Sequence, residues 1–490
     1  MMGKSMIGKR TTGEETMDLQ IIDKLQDIAG EAYVSTSTAE LYAYSTDAGI
    51  HRSIPDAVIR PGTTEEVSMI VKLANEYLFP VIPRGAGTAL CGHSVPIKGG
   101  VIIDLQRMNR IKEVHIEDLY VIVEPGVIHQ DLNEKLKKYG FFIPGPSSGN
   151  VANIGGMIAT NASGGNAVKY GATRDYVLGL EVVFPTGEIA ALGTRTLKNS
   201  AGYQLERLMC GMEGTLGIIT KATLKVVPLP ETSAVAVAVF GTLEAAGQCV
   251  SNIIAKPIIP SGLELMSNVC IQAINKAVDL GLPETDAILL IEVDGSANDI
   301  GDQIEKVSDI CTSGGALSVD FTDDPIRMEE LWKGRKAMIP ALCKYDDELV
   351  TVMLADDMAV PMSRIPETIR AFENISDKYD IIIASYGHAG DGNLHTKVLM
   401  DPTRKSHWDQ AEKAVAEIYD KVMEVGGTVT GEHGVAITKA PFFIKERASS
   451  INAMKIIKRG LDPNNIMNPY KIMDWDENFI THLRYHIEDE

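Results

Sequence analysis

Residues 141–175 are dominated by small side chains that would make a poor core. Pro144-Gly-Pro-Ser-Ser-Gly-Asn150 leads into Asn153-Ile-Gly-Gly-Met157 and Ala159-Thr-Asn-Ala-Ser-Gly-Gly165. A loop of about thirty residues inside a compact domain is usually functional or disordered. It carries little charge and no repeat, so disorder fits it poorly. Gly, Ala, Ser and Asn let main-chain N–H groups come close to a bound molecule. The stretch therefore reads as backbone packed directly against a large flat ligand.

Around it lies an ordinary globular chain. Its 490 residues predict roughly two to four domains, each able to bury a core. Hydrophobic residues at 45% and charged residues at 23% exclude a disordered polymer. The formal net charge of −20 repels phosphate backbones, which argues against nucleic acid or an anionic membrane as main partner. The six cysteines are scattered without a C-x-x-C pair, so no zinc or iron–sulfur cradle is visible. Scattered thiols fit a reducing cytoplasm. Residues 1–16 lack the apolar core of a secretory signal and read as a loose extension, with Met17 an alternative start. No apolar run reaches the ~18 residues of a membrane span.

Periodicity places the elements. Residues 19–30 predict a helix ending at Gly30, and Thr63 predicts the cap of a helix running to about Tyr77. Strands are predicted at 56–61, 81–83, 100–105 and 119–124, with a helix at 129–139. From about Ala234 the texture changes. Strands at 234–240 and 287–293 alternate with helices at 243–255 and 298–311, which predicts a second α/β or ferredoxin-like layer over roughly 230–420. Residues 421–490 are too few to stand alone and should pack back on an earlier domain.

Two groups of residues carry chemistry. Pro83-Arg-Gly-Ala-Gly-Thr-Ala-Leu-Cys-Gly92 follows a strand but fails as a Rossmann fingerprint. Leu90 stands where a glycine is needed, and a strand rather than a helix comes next. The loop can cradle phosphate by backbone N–H groups, with Arg84 as counter-charge. The second group is Ser385-Tyr-Gly-His-Ala-Gly-Asp-Gly-Asn-Leu-His395, joined by Gly431-Glu-His-Gly434. His388 and His395 flank a turn that can fold both imidazoles toward one point. Three of the ten histidines fall in these two glycine-framed segments, which lifts them above lone structural histidines. Two histidines and a carboxylate form a recognised catalytic metal set. Glu432 and His433 are adjacent, so they can serve one site only on irregular backbone, which Gly431 and Gly434 permit.

Pro83-Arg-Gly-Ala-Gly-Thr88, Gly149-Asn-Val-Ala-Asn-Ile-Gly-Gly156, Ala159-Thr-Asn-Ala-Ser-Gly164 and Glu213-Gly-Thr-Leu-Gly-Ile218 resemble the FAD-binding signatures of the vanillyl-alcohol-oxidase/p-cresol-methylhydroxylase flavoproteins. The nearest match is the D-2-hydroxyacid branch, which holds D-lactate dehydrogenases and the glycolate oxidase FAD subunit. The resemblance runs from about 20 to 473. It implies an α+β chain with a bipartite FAD-binding domain, 17–230 plus 421–490, around an inserted α/β substrate or cap domain at 231–420. Noncovalent FAD would place its adenine diphosphate half on Arg84, Gly85, Ala86, Gly87, Thr88, Gly92 and Ser94. Its ring would lie along Ser147, Asn153, Gly156, Thr160, Asn161, Gly164 and Gly165, with Glu213, Ile218 and Asn468 beside it. Asn468-Pro-Tyr-Lys471 matches the family's Asn-Pro-Gly-Lys ending except at Tyr470.

The resemblance also implies that His388, His395 and Glu432 hold a divalent metal (Fe, Zn or Mn) and that His433 is the catalytic base. Arg335 would bind the substrate carboxylate, and Asn393 would orient substrate or metal. Ala355 and Asp356 stand where dicarboxylate-using relatives carry a lysine, which favours a small monocarboxylate such as D-lactate or glycolate. The expected reaction takes a D-2-hydroxy acid to its 2-oxo acid. With no cluster cysteines, haem motif or NAD site in the chain, electrons must leave to another protein, a quinone or dioxygen. A soluble carrier such as electron-transferring flavoprotein is expected, docking on the acidic surface and on the tail that carries Asp474, Asp476, Glu477, Glu488, Asp489 and Glu490. An oxidase using dioxygen or quinone is the alternative within enzymes. A non-catalytic FAD electron-transfer subunit is the other, and the intact His388, His395, Glu432, His433 set argues against it.

Overall fold

A computed structural model of the chain describes residues 17–474 apart from 279 and 355, together with 482, 483, 485 and 487. The extension at 1–16, Ala355 and every tail acid except Asp474 lie outside the described residues. The chain divides into two compact units. One draws its described residues from Met1–Ala162, Ala172–Leu229 and Glu432–Arg484, the other from Ser163–Gly171, Pro230–Gly431 and Tyr485–Glu490.

In the first unit, Val34–Ser35 (β1), Ala57–Ile59 (β2), Val81–Arg84 (β3) and Val101–Asp104 (β4) form a sheet in the order β1-β2-β4-β3. β2, β3 and β4 are parallel, and β1 joins antiparallel at the edge. Parallel strands need cover on both faces, and β2 and β4 are buried at every residue. Leu19–Ala29 (α1) and Thr64–Tyr77 (α2) cover one face. Their Ile21, Leu25, Val67, Ile70, Val71 and Ala74 share a core with Ala57, Ile59, Val101 and Ile103. Val58, Ile82 and Ile102 alternate to the other side, against Leu41 and Tyr44. α2 starts where Thr63 Oγ1 accepts the Glu66 N–H at 3.1 Å, with Glu65 and Glu66 in its first turn.

The unit's other large sheet is antiparallel throughout. Its strands are Ile111–His115 (β5), Tyr120–Val123 (β6), Val177–Val183 (β7), Ile189–Gly193 (β8) and Ile218–Lys225 (β9), in the order β8-β7-β9-β6-β5. His129–Lys137 (α3) and Ile154–Thr160 (α4) pack on it through Leu132, Leu136, Ile154, Met157 and Ile158. α4 lies inside the stretch that reads as irregular from its small residues. Asn153 caps it by accepting the Gly156 N–H at 3.1 Å, and three apolar residues at helical spacing suffice to anchor it.

The second unit is built on one antiparallel sheet. Its strands are Thr232–Phe240 (β10), Gly262–Ser267 (β11), Ala287–Gly295 (β12), Ser318–Thr322 (β13), Val350–Val352 (β14), Ile382–His388 (β15) and Asn393–Met400 (β16). They run β13-β10-β12-β11-β15-β16-β14, with Met358–Ala359 added beside β16. Helices Leu243–Ile254 (α5), Asn268–Val278 (α6), Ile300–Ser313 (α7), Pro325–Lys336 (α8), Ile365–Tyr379 (α9) and Lys405–Glu424 (α10) alternate with the strands. The strand–helix alternation is as expected, but every pairing is antiparallel. β11 and β16 are buried along their whole length.

Two boundaries differ from those expected. Residues 421–431 stay with the second unit, because α10 runs unbroken to Glu424 and Thr428 bridges Ala359. Residues 163–171 join it too, because Lys169 donates to the Asp294 carbonyl at 2.8 Å and Tyr170 Oη to its carboxylate at 2.7 Å. No helix among the described residues is long and apolar enough to cross a membrane.

Candidate active site

In the first unit, β3 ends at Arg84 and opens the glycine loop. Arg84 Nη1 donates to the Thr46 carbonyl and to Ser94 Oγ, both at 2.8 Å, and the guanidinium lies 5.1 Å from the centre of the Tyr44 ring. Arg84 and Ser94, both expected on phosphate, thus brace each other across the loop. Gly87 has φ +71°, and a Cβ there would run into that guanidinium. A Cβ on Gly85 would lie 2.3 Å from Asn153 Oδ1. The loop backbone therefore passes directly over the α4 cap. Asn153 Nδ2 is buried with no hydrogen-bond partner among the described residues. Ala86 and Gly87 are half-buried, whereas Thr88 is exposed.

Gly92 is held from two sides. Its N–H donates to Asp47 Oδ2 at 2.8 Å, and its carbonyl accepts from Lys471 Nζ at 2.6 Å. Burial pulls the Lys471 ammonium down to about 7, against the opposing pull of Asp47 and Glu213. Asn468 donates to the carbonyls of His93 and Glu213 at 3.0 and 2.8 Å, while its Oδ1 is buried without a partner among the described residues. Gly156 and Thr160 lie on α4, where Thr160 Oγ1 donates to the Gly156 carbonyl. Asn161 closes that helix at φ +53° and accepts the Arg174 N–H. Ser147 is exposed, and the Ile218 side chain packs in the core.

Both carboxylate oxygens of Glu213 are engaged by the protein. Its Oε1 accepts the Val435 N–H at 2.7 Å, its Oε2 accepts the Ala436 N–H at 2.8 Å, and His93 Nε2 lies 3.2 Å from Oε2. Burial alone would raise its pKa. His93 and the two N–H groups outweigh that and hold it below the usual carboxylate range. This latch fastens the backbone two residues beyond His433. Gly434 sits at φ +79°, where a Cβ would lie 2.5 Å from His93 Nε2. The backbone at Glu432 and His433 is irregular, as the flanking glycines predict, and His433 Nε2 lies 3.4 Å from Glu432 Oε1.

The loop at 84–94, the α4 cap and Asn468 present glycine backbone without Cβ atoms and two buried amides with unmet hydrogen-bonding capacity. Backbone approach and buried polar groups of this kind fit a flavin dinucleotide.

The second unit holds a cluster around two histidines. β15 and β16 form a hairpin through the turn at 389–392, with Tyr386 opposite His395. The rings of His388 and His395 stand edge to face with centroids 5.2 Å apart. Each imidazole meets a buried carboxylate at Nδ1: His388 lies 2.5 Å from Glu264 Oε1, and His395 lies 3.3 Å from Asp356 Oδ1. At His388 the contact is a hydrogen bond, and because the ionised Glu264 carboxylate only accepts, Nδ1 carries the hydrogen there and Nε2 is the ring atom left for a ligand. That is the arrangement by which an outer carboxylate prepares a metal-binding histidine, so His388, with His395 beside it, fits a divalent cation. Lys397 pairs with the other Asp356 oxygen.

Arg335, on α8, donates through Nε to Glu264 Oε2 at 2.8 Å, and its Nη2 lies at the same distance. Burial would raise the Glu264 pKa, but Arg335 and then His388 hold it down at about 2. Asn393 Nδ2 donates to Asp357 Oδ1 at 2.7 Å and to the Met358 carbonyl at 3.2 Å. These acceptors set the orientation of the amide, and its Oδ1 is buried with no partner among the described residues. Asp357 also accepts Thr430 Oγ1 and the Gly431 N–H, which ties Gly431 beneath Asn393. Gly164 and Gly165, expected along a flavin ring, belong to this unit, where a Cβ on Gly165 would sit 2.5 Å from Glu264 Oε1.

Sequence reasoning passed over Glu264, Asp357 and Lys397. The readable signal was a lone carboxylate inside the apolar strand Gly262-Leu-Glu-Leu-Met266.

Two family models match the chain. One, described as "FAD binding domain", covers residues 55–193, and the other, "FAD linked oxidases, C-terminal domain", covers 229–472. The chain is 41% identical over 458 residues to a protein named glycolate oxidase subunit GlcD from Bacillus subtilis, covering 93% of this chain and 97% of that one. It is 39% identical over 426 residues to a mitochondrial D-lactate dehydrogenase [cytochrome] from Arabidopsis thaliana, covering 86% and 74%. Among solved structures, p-cresol methylhydroxylase with substrate bound aligns with a TM-score of 0.76 at 18% identity, over 94% of this chain and 97% of that one. At that identity the likeness concerns the fold.

Proposed function

The chain belongs to the FAD-linked oxidoreductases of the D-lactate dehydrogenase and glycolate oxidase group, and from that premise we propose that it oxidises a small D-2-hydroxy acid, D-lactate foremost, to the 2-oxo acid. FAD, when bound in the first unit, supplies the two-electron acceptor for the Cα hydride. A divalent metal assigned to His388, His395 and Glu432 supplies Lewis acidity toward the 2-hydroxyl.

The chain's own residues do the rest. His433 takes the hydroxyl proton at a ring nitrogen, and Glu213 fastens the loop that carries it. Arg335 meets the substrate carboxylate, for which a planar fork suits better than an ammonium. Asn393 turns its unmet amide oxygen to the ligand. The observation that carries the reading is the pair of histidines with a buried carboxylate behind each Nδ1.

Electrons then pass to a carrier protein, with electron-transferring flavoprotein as the proposed class and the cytoplasm as the place. The net charge of −20 and the absence of cluster cysteines in the sequence support a separate carrier. Glycolate as substrate, or dioxygen or quinone as acceptor, is the second reading, and the likeness to a relative named glycolate oxidase subunit favours it. Anaerobic mixing of the flavin-loaded protein with D-lactate, L-lactate, glycolate and D-2-hydroxyglutarate tests the substrate. Reoxidation by carrier or by dioxygen tests the acceptor.

A further inference from the structure

We propose that Glu264 is a positioning residue that sets His388 for the metal and Arg335 for the substrate carboxylate at once, and that Gly165 supplies the space in which it does so. The inference rests on the reading above.

Glu264 lies mid-strand in β11, directly opposite His388 in β15. Directly opposed residues in an antiparallel pair project to the same face. Its two oxygens serve different partners: Oε1 takes His388 Nδ1 at 2.5 Å, and Oε2 takes Nε and Nη2 of Arg335 at 2.8 Å each. The residue is 1% exposed, so water cannot replace either partner. One rigid carboxylate thus fixes the ring orientation and tautomer of His388 and the plane of the guanidinium, whose carbon also lies 4.8 Å from the centre of the Tyr386 ring.

Gly165 roofs this contact. A Cβ there would stand 2.5 Å from Glu264 Oε1 and 3.3 Å from His388 Nδ1, so any side chain pushes the pair apart. The glycine in a stretch that reads as a flavin platform is thereby required by the bracket.

The test uses the full-length flavin-loaded protein, stripped of metal with a chelator and titrated with Mn²⁺ alone, alongside lactate kinetics. Glu264→Gln keeps the volume and removes the charge. The expected result is Mn²⁺ affinity weakened about 10–100-fold and a KM for D-lactate raised about tenfold or more. Flavin content and Tm should stay near wild type. Gly165→Ala, which leaves every charge in place, should weaken Mn²⁺ binding in the same direction, and it carries the test if Glu264→Gln does not fold. Wild-type Mn²⁺ affinity and KM in both variants, with only Tm lowered, would overturn the proposal. His388→Ala separates the two levels. If it too binds Mn²⁺ normally, the metal reading falls and this inference with it. If it alone loses Mn²⁺, only the bracket is wrong.

Discussion

Glu213 Oε1 lies 2.7 Å from the Val435 nitrogen, which makes the Glu-Gly-Thr-Leu-Gly motif the anchor of the loop that carries His433. A charged acceptor on two backbone N–H groups is among the stronger hydrogen-bond arrangements in proteins. Glu213→Gln should keep the shape, lose one acceptor and face an N–H with an amide hydrogen. We predict retained flavin and a kcat lowered about 10–100-fold through misplacement of His433. Absorbance of the purified variant and steady-state kinetics check the two parts separately.

Gly431 has no room for a methyl group. A Cβ would lie 2.1 Å from Asn393 Nδ2 and 3.0 Å from Asp357 Oδ1. Gly431→Ala should therefore displace Asn393 and lower kcat about 10²-fold, with the second unit still folded by circular dichroism.

Glu292 gives a pH-dependent signature. Burial, aided by Asp294, raises its carboxyl to about 7 in the folded chain, against an ordinary value near 4.5, and a contact from Ser233 offsets only part of this. A raised folded pKa means that the folded state holds the proton more tightly. The contribution to stability is full below about pH 4.5 and is lost as pH rises through about 7. Glu292→Gln mimics the protonated form. It should stabilise the protein by about 1–3 kcal/mol at pH 8 and leave stability near pH 4.5 unchanged, as read by chemical denaturation at the two pH values.

Much of this was legible in residue order, and the failures have physical causes. Thr63 as a cap, α1 closing at Gly30 and the hairpin that joins His388 to His395 all depend on neighbours within a few residues. α4 stayed hidden because Gly155 and Gly156 mask a helix that rests on Asn153 and three core residues. Glu264 stayed hidden because its partners stand 71 and 124 residues away, brought together only by the register of β11 against β15 and by α8. The backbone partners of Glu213 are not readable from its motif, since the loop it holds begins more than 200 residues later.

Removal of metal should separate the two halves of the chemistry. Dialysis against a strong chelator should leave the protein yellow, because the loop at 84–94 and the Asn153 cap owe nothing to His388 or His395. Turnover should fall by about two orders of magnitude or more, as expected when Lewis-acid activation of the hydroxyl is lost. Added Mn²⁺ or Zn²⁺ should restore it.

The central claim is that this flavoprotein takes a hydride from a D-2-hydroxy acid whose hydroxyl proton goes to His433. Stopped-flow absorbance under anaerobic conditions, with D-lactate added to the flavin- and metal-loaded protein, measures it. Rapid bleaching of the flavin by D-lactate but not L-lactate, slowed about 10²–10⁴-fold in His433→Ala, is the predicted result. A flavin that stays oxidised with every 2-hydroxy acid, or that bleaches equally fast in His433→Ala, would contradict it.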